Sequence, residues 1–354
     1  MAKKIKLGIT LGDFNGVGPE VIIKALATSK VMDYFTPIIY GNSKVLAYHK
    51  NVVKDVNLNF VSIKDANNAA YNKVNVINVW SEETSVQLGV PTKESGKYAL
   101  QCIERVVEDA KAGLIDAIVT APINKHAMNM AGFKHVGHTE YFTEAFEAPE
   151  TVMTMVSDSA IVSVACNHVP VNEVVNNIDK KKIIRKLKVL SKTLKQDFGL
   201  ERPTIGVLGL NPHAGDEGVI GDEEKSFIEP AILEAKRNGV LASGPHPADG
   251  FFGTRDFSKV DAILAMYHDQ GLIPFKLLSF GDGVNYTAGL PVIRTSPDHG
   301  TAYGIAGKNQ ADASSMRKAM FLAKDLFQNR QLNLAAEKRG SVKKTSKPQE
   351  EIQD

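Results

Sequence analysis

Short apolar runs that end abruptly in polar or glycine-rich loops recur along the chain. IKLGIT, AIVSVAC, TIGVLGL and AILAMY are examples, and each has the length and the β-branched content of a buried strand. Between such runs, apolar residues recur at helical spacing, as in residues 95–111, where we expect Ser95 to be the N-cap. Strands that alternate with helices predict an α/β fold with a largely parallel sheet.

Three of the predicted strands are each followed, within a few residues, by a histidine. His168 follows AIVSVACN, His213 follows TIGVLGLNP, and His268 follows AILAMY. In open α/β sheets the ligand crevice lies beyond the carboxyl ends of the strands, so residues that are distant in sequence can meet there. We therefore predict that these three imidazoles bind one metal ion.

A lysine-rich segment over residues 179–198 is the strongest hint of a nucleic-acid partner. Its apolar side chains fall on one helical face, so the lysines form the opposite, solvated face. The chain of 354 residues has a formal net charge of +2, and it contains no apolar run near the roughly 20 residues that a membrane span requires. We therefore expect no nucleic-acid partner, no membrane association and a cytoplasmic location, since the amino terminus also lacks the apolar core of a signal peptide.

Two loops are candidates for ligand binding. Glycines and a proline make residues 12–20 a tight strand-to-helix turn whose free N–H groups can face an anion or a cofactor, although it matches neither the dinucleotide nor the P-loop fingerprint. Residues 281–312 combine glycines and hydroxyl side chains with cationic groups, which suits phosphate binding. Residues 336–354 contain almost no apolar side chains, which predicts a disordered tail.

The order of motifs along the chain identifies a family resemblance. GDFNGVGPE, TAPINK, GHTE, NHVP, LNPHAG, GPHPAD and YHDQGLIPFK follow one another, and VNYTAGLPVIRTSPDHGTA comes last. This order resembles the 4-hydroxythreonine-4-phosphate dehydrogenases, the PdxA family. The resemblance implies a two-domain α/β fold like that of the isocitrate and isopropylmalate dehydrogenases, with a cleft between the domains. It implies a cofactor-side domain over residues 1–130 plus 275–335 and a metal- and dimer-side domain over residues 131–274.

The resemblance also implies an activity, that of an oxidoreductase in vitamin B6 (pyridoxal phosphate, pyridoxine) biosynthesis. Such an enzyme uses NAD and a divalent metal to oxidise 4-phosphooxy-L-threonine to 2-amino-3-oxo-4-phosphooxybutanoate, which decarboxylates to 3-amino-2-oxopropyl phosphate. Imidazole ligands favour zinc as the metal, with cobalt, nickel, manganese and magnesium as the alternatives. The family is homodimeric, with its active sites at the subunit interface.

Matched position by position, the resemblance assigns roles to individual residues. The metal ligands are His168, His213 and His268, with His268 contributed by the partner subunit. The catalytic residues are His213, His268, Asp249 and Asp269. The substrate-binding residues are His138, Thr139, Lys276, Asn285 and Arg294. The expected cofactor-binding residues are Gly12, Asp13, Gly18, Asp298 and His299.

Other functions stay open from the sequence. Paralogues that oxidise erythronate or threonate 4-phosphate share these motifs, and three histidines with nearby carboxylates would also suit a metal-dependent lyase or hydrolase that acts on a phosphorylated substrate without a nicotinamide. Gly304 stands where related enzymes carry an aspartate that can bind the cofactor ribose. Because no arginine stands nearby to receive the additional phosphate of NADP, NAD is the expected cofactor.

Overall fold

The structure of the chain is a computed structural model that describes residues 4–54 and 56–345. Its strands are β1 (Ile5–Thr10), β2 (Phe35–Gly41), β3 (Phe60–Ile63), β4 (Val74–Asn78), β5 (Ala117–Thr120), β6 (Val152–Val156), β7 (Ile161–Cys166), β8 (Thr204–Leu208), β9 (Leu241–His246), β10 (Ala262–Tyr267), β11 (Val284–Ala288) and β12 (Ile293–Pro297). Its α-helices are α1 (Gly18–Leu26), α2 (Ser43–Val52), α3 (Lys93–Lys111), α4 (Lys125–Met130), α5 (His138–Ala145), α6 (Lys180–Gln196), α7 (Glu229–Arg237), α8 (Ala248–Gly253), α9 (His268–Ser279) and α10 (Ser314–Thr345).

The strands form one 12-stranded sheet in the order β3-β4-β2-β1-β5-β12-β11-β6-β7-β10-β8-β9. Pairing is parallel from β3 to β12 and again from β7 to β9, which confirms the predicted α/β class. The three pairs that join these halves, β12–β11, β11–β6 and β6–β7, are antiparallel. Short connections explain two of these pairs, β6–β7 and β11–β12, because a tight turn can join only antiparallel strands whereas parallel strands need a long crossover.

Separate hydrophobic cores lie in the two halves of the sheet. The first core packs α1, α3 and α10 against β1, β2, β4, β5 and β12. In the other half, α6 and α7 cover one face of β7, β8 and β10, and α8 and α9 cover the opposite face. Strand β6 belongs to both halves, since Val152 and Val156 point into the first core while Met153 and Met155 point into the core under α8 and α9. This arrangement supports the domain division at residues 1–130 plus 275–335 and 131–274, which stays a prediction.

Helix α3 begins three residues earlier than predicted. Thr92 is the N-cap, because its hydroxyl accepts a hydrogen bond from the Ser95 backbone N–H at 3.0 Å. Ser95 lies in the third helical position, where its own hydroxyl completes the capping box and donates a hydrogen bond to Asp13 at 3.1 Å. The prediction of Ser95 as the N-cap was therefore wrong, and the residue instead ties the helix to the loop after β1.

The lysine-rich segment forms helix α6, with Ile183, Leu187, Leu190 and Leu194 buried on its inner face as predicted. Helix α10 continues to Thr345, so residues 336–345, which were expected to be disordered, are helical. The rest of that expected tail, residues 346–354, lies outside the described residues. None of the helices in the described ranges is long and apolar enough to cross a membrane.

Candidate functional site

A cavity of about 180 Å³ opens where the loop after β5, the start of α5, the loop after β7 and the strands β11 and β12 meet. Its wall is formed by Thr120, Ala121, Pro122, Ile123, Lys125, Gly137, His138, Thr139, Glu140, His168, Asn285, Arg294, Ser296, Pro297, His299 and Gly300. Four of the five predicted substrate-binding residues are in this wall, and Lys276 is the one that is not. The structure therefore brings together residues that are more than 150 positions apart in sequence.

Arg294 lies at the bottom of the cavity with only 1% of its surface exposed. One terminal nitrogen, Nη1, donates to the Thr287 hydroxyl at 3.1 Å, and Nη2 donates to the hydroxyl of Thr120. The guanidinium also lies over the ring of Phe142, 5.5 Å from its centroid. Burial lowers the pKa of Arg294 to about 9, and the negative charge of Glu140 opposes that effect. No carboxylate among the described residues lies within 4.0 Å of the guanidinium.

His138 is the first residue of α5 and lies beside this cation. Burial, with a smaller contribution from the positive charge of Arg294, holds the pKa of His138 well below its usual value, so the ring is neutral at physiological pH. Its Nε2 atom is buried and has no hydrogen-bond partner among the residues that the structure describes. A neutral imidazole at this place can donate to or accept from a ligand without adding charge.

Several other polar atoms of the cavity wall are buried and unpaired. They are Nε of Arg294, Oε2 of Glu140, Oδ1 of Asn285 and Nε2 of His299. Buried polar groups that lack partners are uncommon in proteins and are costly, so their concentration in one cavity indicates that a polar ligand supplies the missing hydrogen bonds.

Two of the three predicted metal ligands lie side by side. Strands β7 and β10 are parallel neighbours, with Cys166 opposite Tyr267, and the rings of His168 and His268 are consequently 5.6 Å apart between centroids. Nδ1 of His168 is 3.5 Å from Oε1 of Glu140, and Nδ1 of His268 is 2.7 Å from Oδ1 of Asp269. A carboxylate on one ring nitrogen leaves the other nitrogen free, which is the usual arrangement of metal-binding histidines.

His213 is not part of this pair. It follows β8 and begins a run of left-handed residues in the turn Pro212–Gly218, and α8, which carries Asp249, packs against that turn. Within the described residues, no group of three or more histidines, cysteines, aspartates or glutamates is arranged to hold a metal ion. The donor chemistry of His168 and His268 fits two ligands of a divalent ion, and a third has to come from beyond this pair. The three-histidine site therefore stays a prediction.

The remaining charged residues predicted for the site lie on α9 and in the loop after β12. Lys276 is 57% exposed and its Nζ lies 3.6 Å from Oδ1 of Asp298. Burial raises the pKa of Asp298, and the nearby charge of Lys276 partly offsets this effect. His299 faces the cavity, with Nδ1 3.0 Å from the Gly300 carbonyl oxygen. The side chain of Asp269 is 70% exposed and contacts His268.

The predicted cofactor loop after β1 is packed against its neighbours. Asp13 is 1% exposed, and its carboxylate accepts a hydrogen bond from the Tyr303 hydroxyl at 2.6 Å. Burial raises the pKa of Asp13, an effect that its hydrogen bonds oppose. A side chain at Gly12, whose φ is +70°, would come within 2.4 Å of the Pro122 carbonyl oxygen, and one at Gly18 would also meet backbone. These residues therefore fix the positions of two loops, and direct cofactor contact by them stays a prediction.

The sequence analysis did not assign Glu140 or the two threonines that contact Arg294. Glu140 follows His138 and Thr139 in the GHTE motif, so its place beside two predicted substrate-binding residues could have indicated a role in the site. Thr120 and Thr287 carried no such signal, because only the register of β11, β12 and β5 brings them to the arginine.

Comparisons with known proteins agree on one family. The family described as pyridoxal phosphate biosynthetic protein PdxA matches residues 33–323. A 4-hydroxythreonine-4-phosphate dehydrogenase of Bacteroides thetaiotaomicron is 48% identical over 334 residues, which are 94% of this chain and 92% of that protein. A protein of Oceanobacillus iheyensis, named as a candidate D-threonate 4-phosphate dehydrogenase, is 37% identical over 92% of this chain and 99% of its own length.

The fold is likewise that of a solved relative. The crystal structure of 4-hydroxythreonine-4-phosphate dehydrogenase from Klebsiella pneumoniae superposes with a TM-score of 0.81 at 34% identity, covering 92% of this chain and 99% of that one. The terephthalate 1,2-cis-dihydrodiol dehydrogenase of Burkholderia xenovorans, with a TM-score of 0.61 at 24% identity, shares the fold alone.

Proposed function

The chain belongs to the PdxA family, and we propose that it is a dehydrogenase that oxidises 4-phosphooxy-L-threonine with NAD and a divalent metal ion. The product, 2-amino-3-oxo-4-phosphooxybutanoate, loses carbon dioxide to give 3-amino-2-oxopropyl phosphate in pyridoxal phosphate biosynthesis. The observation that carries this proposal is the cavity in which the unpaired donors of Arg294 and His138 converge, since the substrate offers a phosphate, a carboxylate and a hydroxyl.

The binding groups of the cavity suit an anionic substrate. Arg294 presents Nε from the bottom of the cavity, where the low dielectric strengthens a hydrogen bond to a negatively charged oxygen. His138 is neutral and Asn285 is uncharged, so both can orient hydroxyl or carboxylate oxygens without a second charge at that depth. Together they fix the substrate and exclude water from its reacting end.

The histidine pair suits the metal that the family implies. His168 and His268 would hold a divalent ion together with His213, and a bound ion of this kind lowers the pKa of a substrate hydroxyl and stabilises the negative charge that develops as the carbonyl forms. Glu140 and Asp269 hold the rings through their Nδ1 atoms. NAD would accept the hydride in this proposal, and residues 12–18 and 298–299 would hold it. Zinc is the metal that this ligand set favours.

A homodimer with shared sites is the assembly we propose. Helix α9, which begins at His268, leaves Ile273 60%, Leu277 68% and the following Phe280 90% exposed. A spacing of four residues places Ile273 and Leu277 on one face of the helix, and large exposed apolar groups of this kind are typical of a contact surface. A second copy that covers this face would also lie beside His268 at the start of α9, and the contribution of His268 to the partner's site stays a prediction.

A second substrate is favoured by one observation, the Oceanobacillus relative named for D-threonate 4-phosphate. Threonate 4-phosphate carries a hydroxyl where 4-phosphooxy-L-threonine carries an amine. The same cavity and the same oxidation would serve either substrate, so the two functions differ only in the group next to the carboxylate.

The test is nicotinamide reduction by metal-stripped protein, with NAD or NADP, a panel of divalent ions and each of the two substrates. We expect NAD reduction that needs both a metal ion and 4-phosphooxy-L-threonine. Turnover with threonate 4-phosphate alone would show that the chain has the second function. Full activity without any metal ion would refute the metal-dependent chemistry, and absence of turnover with every combination would refute the dehydrogenase.

A further inference from the structure

Lys125 is a cation of the cavity wall to which no role has been assigned. It is the first residue of α4, and the preceding Asn124 fixes that turn by accepting a hydrogen bond from the Ala127 N–H at 2.9 Å. Helix α4 packs so closely on α3 that a side chain at Gly96 would come within 1.9 Å of the Ala127 carbonyl oxygen. The backbone of Lys125 is therefore held rigidly while its side chain lines the cavity.

The amine of Lys125 has no ionic partner in the described part of the chain, where no carboxylate lies within 4.0 Å of it. Lys276, the lysine that the family resemblance assigns to the substrate, is outside the cavity wall and lies 3.6 Å from Asp298. Of the two lysines, Lys125 is thus the one that reaches the cavity with its charge unpaired.

The charges of the cavity wall leave an excess of positive charge for a ligand. Arg294 and Lys125 are cationic, and the wall contains one carboxylate, Glu140, which already faces His168 at 3.5 Å. Two cations therefore face one carboxylate.

The unpaired atoms point to the same ligand chemistry. The Nε atom of Arg294 always carries a hydrogen that it can donate, and Nε2 of His138 can donate in one tautomer. Both atoms are buried and have no hydrogen-bond partner among the described residues. Cationic donors at two places in one cavity fit a ligand whose anionic oxygens accept hydrogen bonds, that is, a phosphate or a carboxylate.

We propose that Lys125 binds an anionic group of the substrate, acting together with Arg294 in the same cavity. This inference deepens the proposed function and rests on it, because it names a contact to the phosphorylated hydroxy acid that the dehydrogenase would oxidise. Lys125 is a binding residue in this proposal and takes no part in the hydride transfer.

The first experiment measures steady-state kinetics of Lys125→Met, which keeps the stem and removes the charge, beside Lys125→Arg, which keeps a cationic donor. We expect the KM for the phosphorylated substrate to rise about tenfold or more in Lys125→Met, as for loss of a hydrogen bond to a charged group, with kcat changed far less. Lys125→Arg should recover most of the affinity. Lys134→Met is the matched control, since Lys134 is an exposed lysine beyond the same helix and does not line the cavity.

The second experiment measures binding calorimetrically, without NAD, using inorganic phosphate and, separately, L-threonine as the probes. Weaker phosphate binding in Lys125→Met would assign the lysine to the phosphate, and weaker L-threonine binding would assign it to the carboxylate. An unchanged KM together with unchanged affinity for both probes would overturn the inference. If the wild-type protein turned over no substrate yet bound phosphate through Lys125, the proposed function would fail while the anion contact survived.

Discussion

Replacement of Arg294 by methionine should stabilise the ligand-free protein while it strongly weakens substrate binding. The guanidinium is buried and has no carboxylate within 4.0 Å among the described residues. Burial lowers the pKa of Arg294 to about 9. Against an ordinary value near 12.5, and at about 1.4 kcal/mol for each pKa unit, the buried charge costs on the order of 5 kcal/mol.

Methionine removes that cost but also removes useful contacts. The hydrogen bonds to Thr287 and Thr120 are lost, at roughly 1–2 kcal/mol each, and so is the cation–π contact with Phe142. The net expectation is a gain of about 1–2 kcal/mol in the free energy of unfolding, comparable to other buried charges replaced by apolar groups. With an unfolding entropy of about 2.1 cal/mol/K per residue, this gain corresponds to a rise of roughly 1–3 °C in the Tm of a chain of 354 residues.

The assay is thermal unfolding near neutral pH, with and without inorganic phosphate. Because the pKa of Arg294 is lowered, the destabilisation caused by its buried charge is fully present below about pH 9. This destabilisation decreases only as the pH rises through that value. Wild-type protein should gain stability from phosphate and Arg294→Met should not, while kcat/KM of the variant should fall by about two to three orders of magnitude. Arg202→Met, at an exposed arginine, is the control. A lower Tm for Arg294→Met than for wild type would refute the reasoning, because it would mean that the buried charge is already compensated.

Three further changes test the assembly and the cofactor site. Mixing chains that carry His213→Ala with chains that carry His268→Ala should restore part of the activity that each variant lacks, because one intact site forms in a mixed dimer. If verified mixed dimers stay inactive, all three metal ligands come from one chain. Leu277→Asp should convert the dimer to a monomer in size-exclusion chromatography with light scattering and lower activity with it, and an unchanged dimer would show that this face of α9 is not the interface. Gly304→Asp should leave Tm unchanged, because a side chain at Gly304 meets nothing within 4 Å. It should lower the KM for NAD, because the new carboxylate can accept a hydrogen bond from the ribose. Gly304→Ala is the control, and an equal effect of both substitutions on KM would exclude ribose binding by the aspartate.

The positions of the strands and the family could be predicted because both follow from short sequence patterns. Apolar runs of strand length marked the sheet, and the one-sided apolar pattern of residues 183–194 marked α6 correctly against its many lysines. The start of α3 was misplaced because Thr92 and Ser95 both suit an N-cap, and only the capping box with its contact to Asp13 distinguishes them.

The sequence by itself therefore determined the α/β class, the family and four of the residues that line the cavity, since these depend on periodicity and on motifs a few residues long. Only the tertiary structure decided which of those residues meet. The parallel pairing of β7 with β10 places His168 beside His268, whereas His213 leaves the sheet through a different turn. The register of β11, β12 and β5 likewise buries Arg294 between two threonines, and the packing of α4 on α3 brings Lys125 to the same cavity. Contacts of this kind depend on strand register and helix packing between distant segments, up to 174 residues apart for Arg294 and Thr120, which no local pattern encodes.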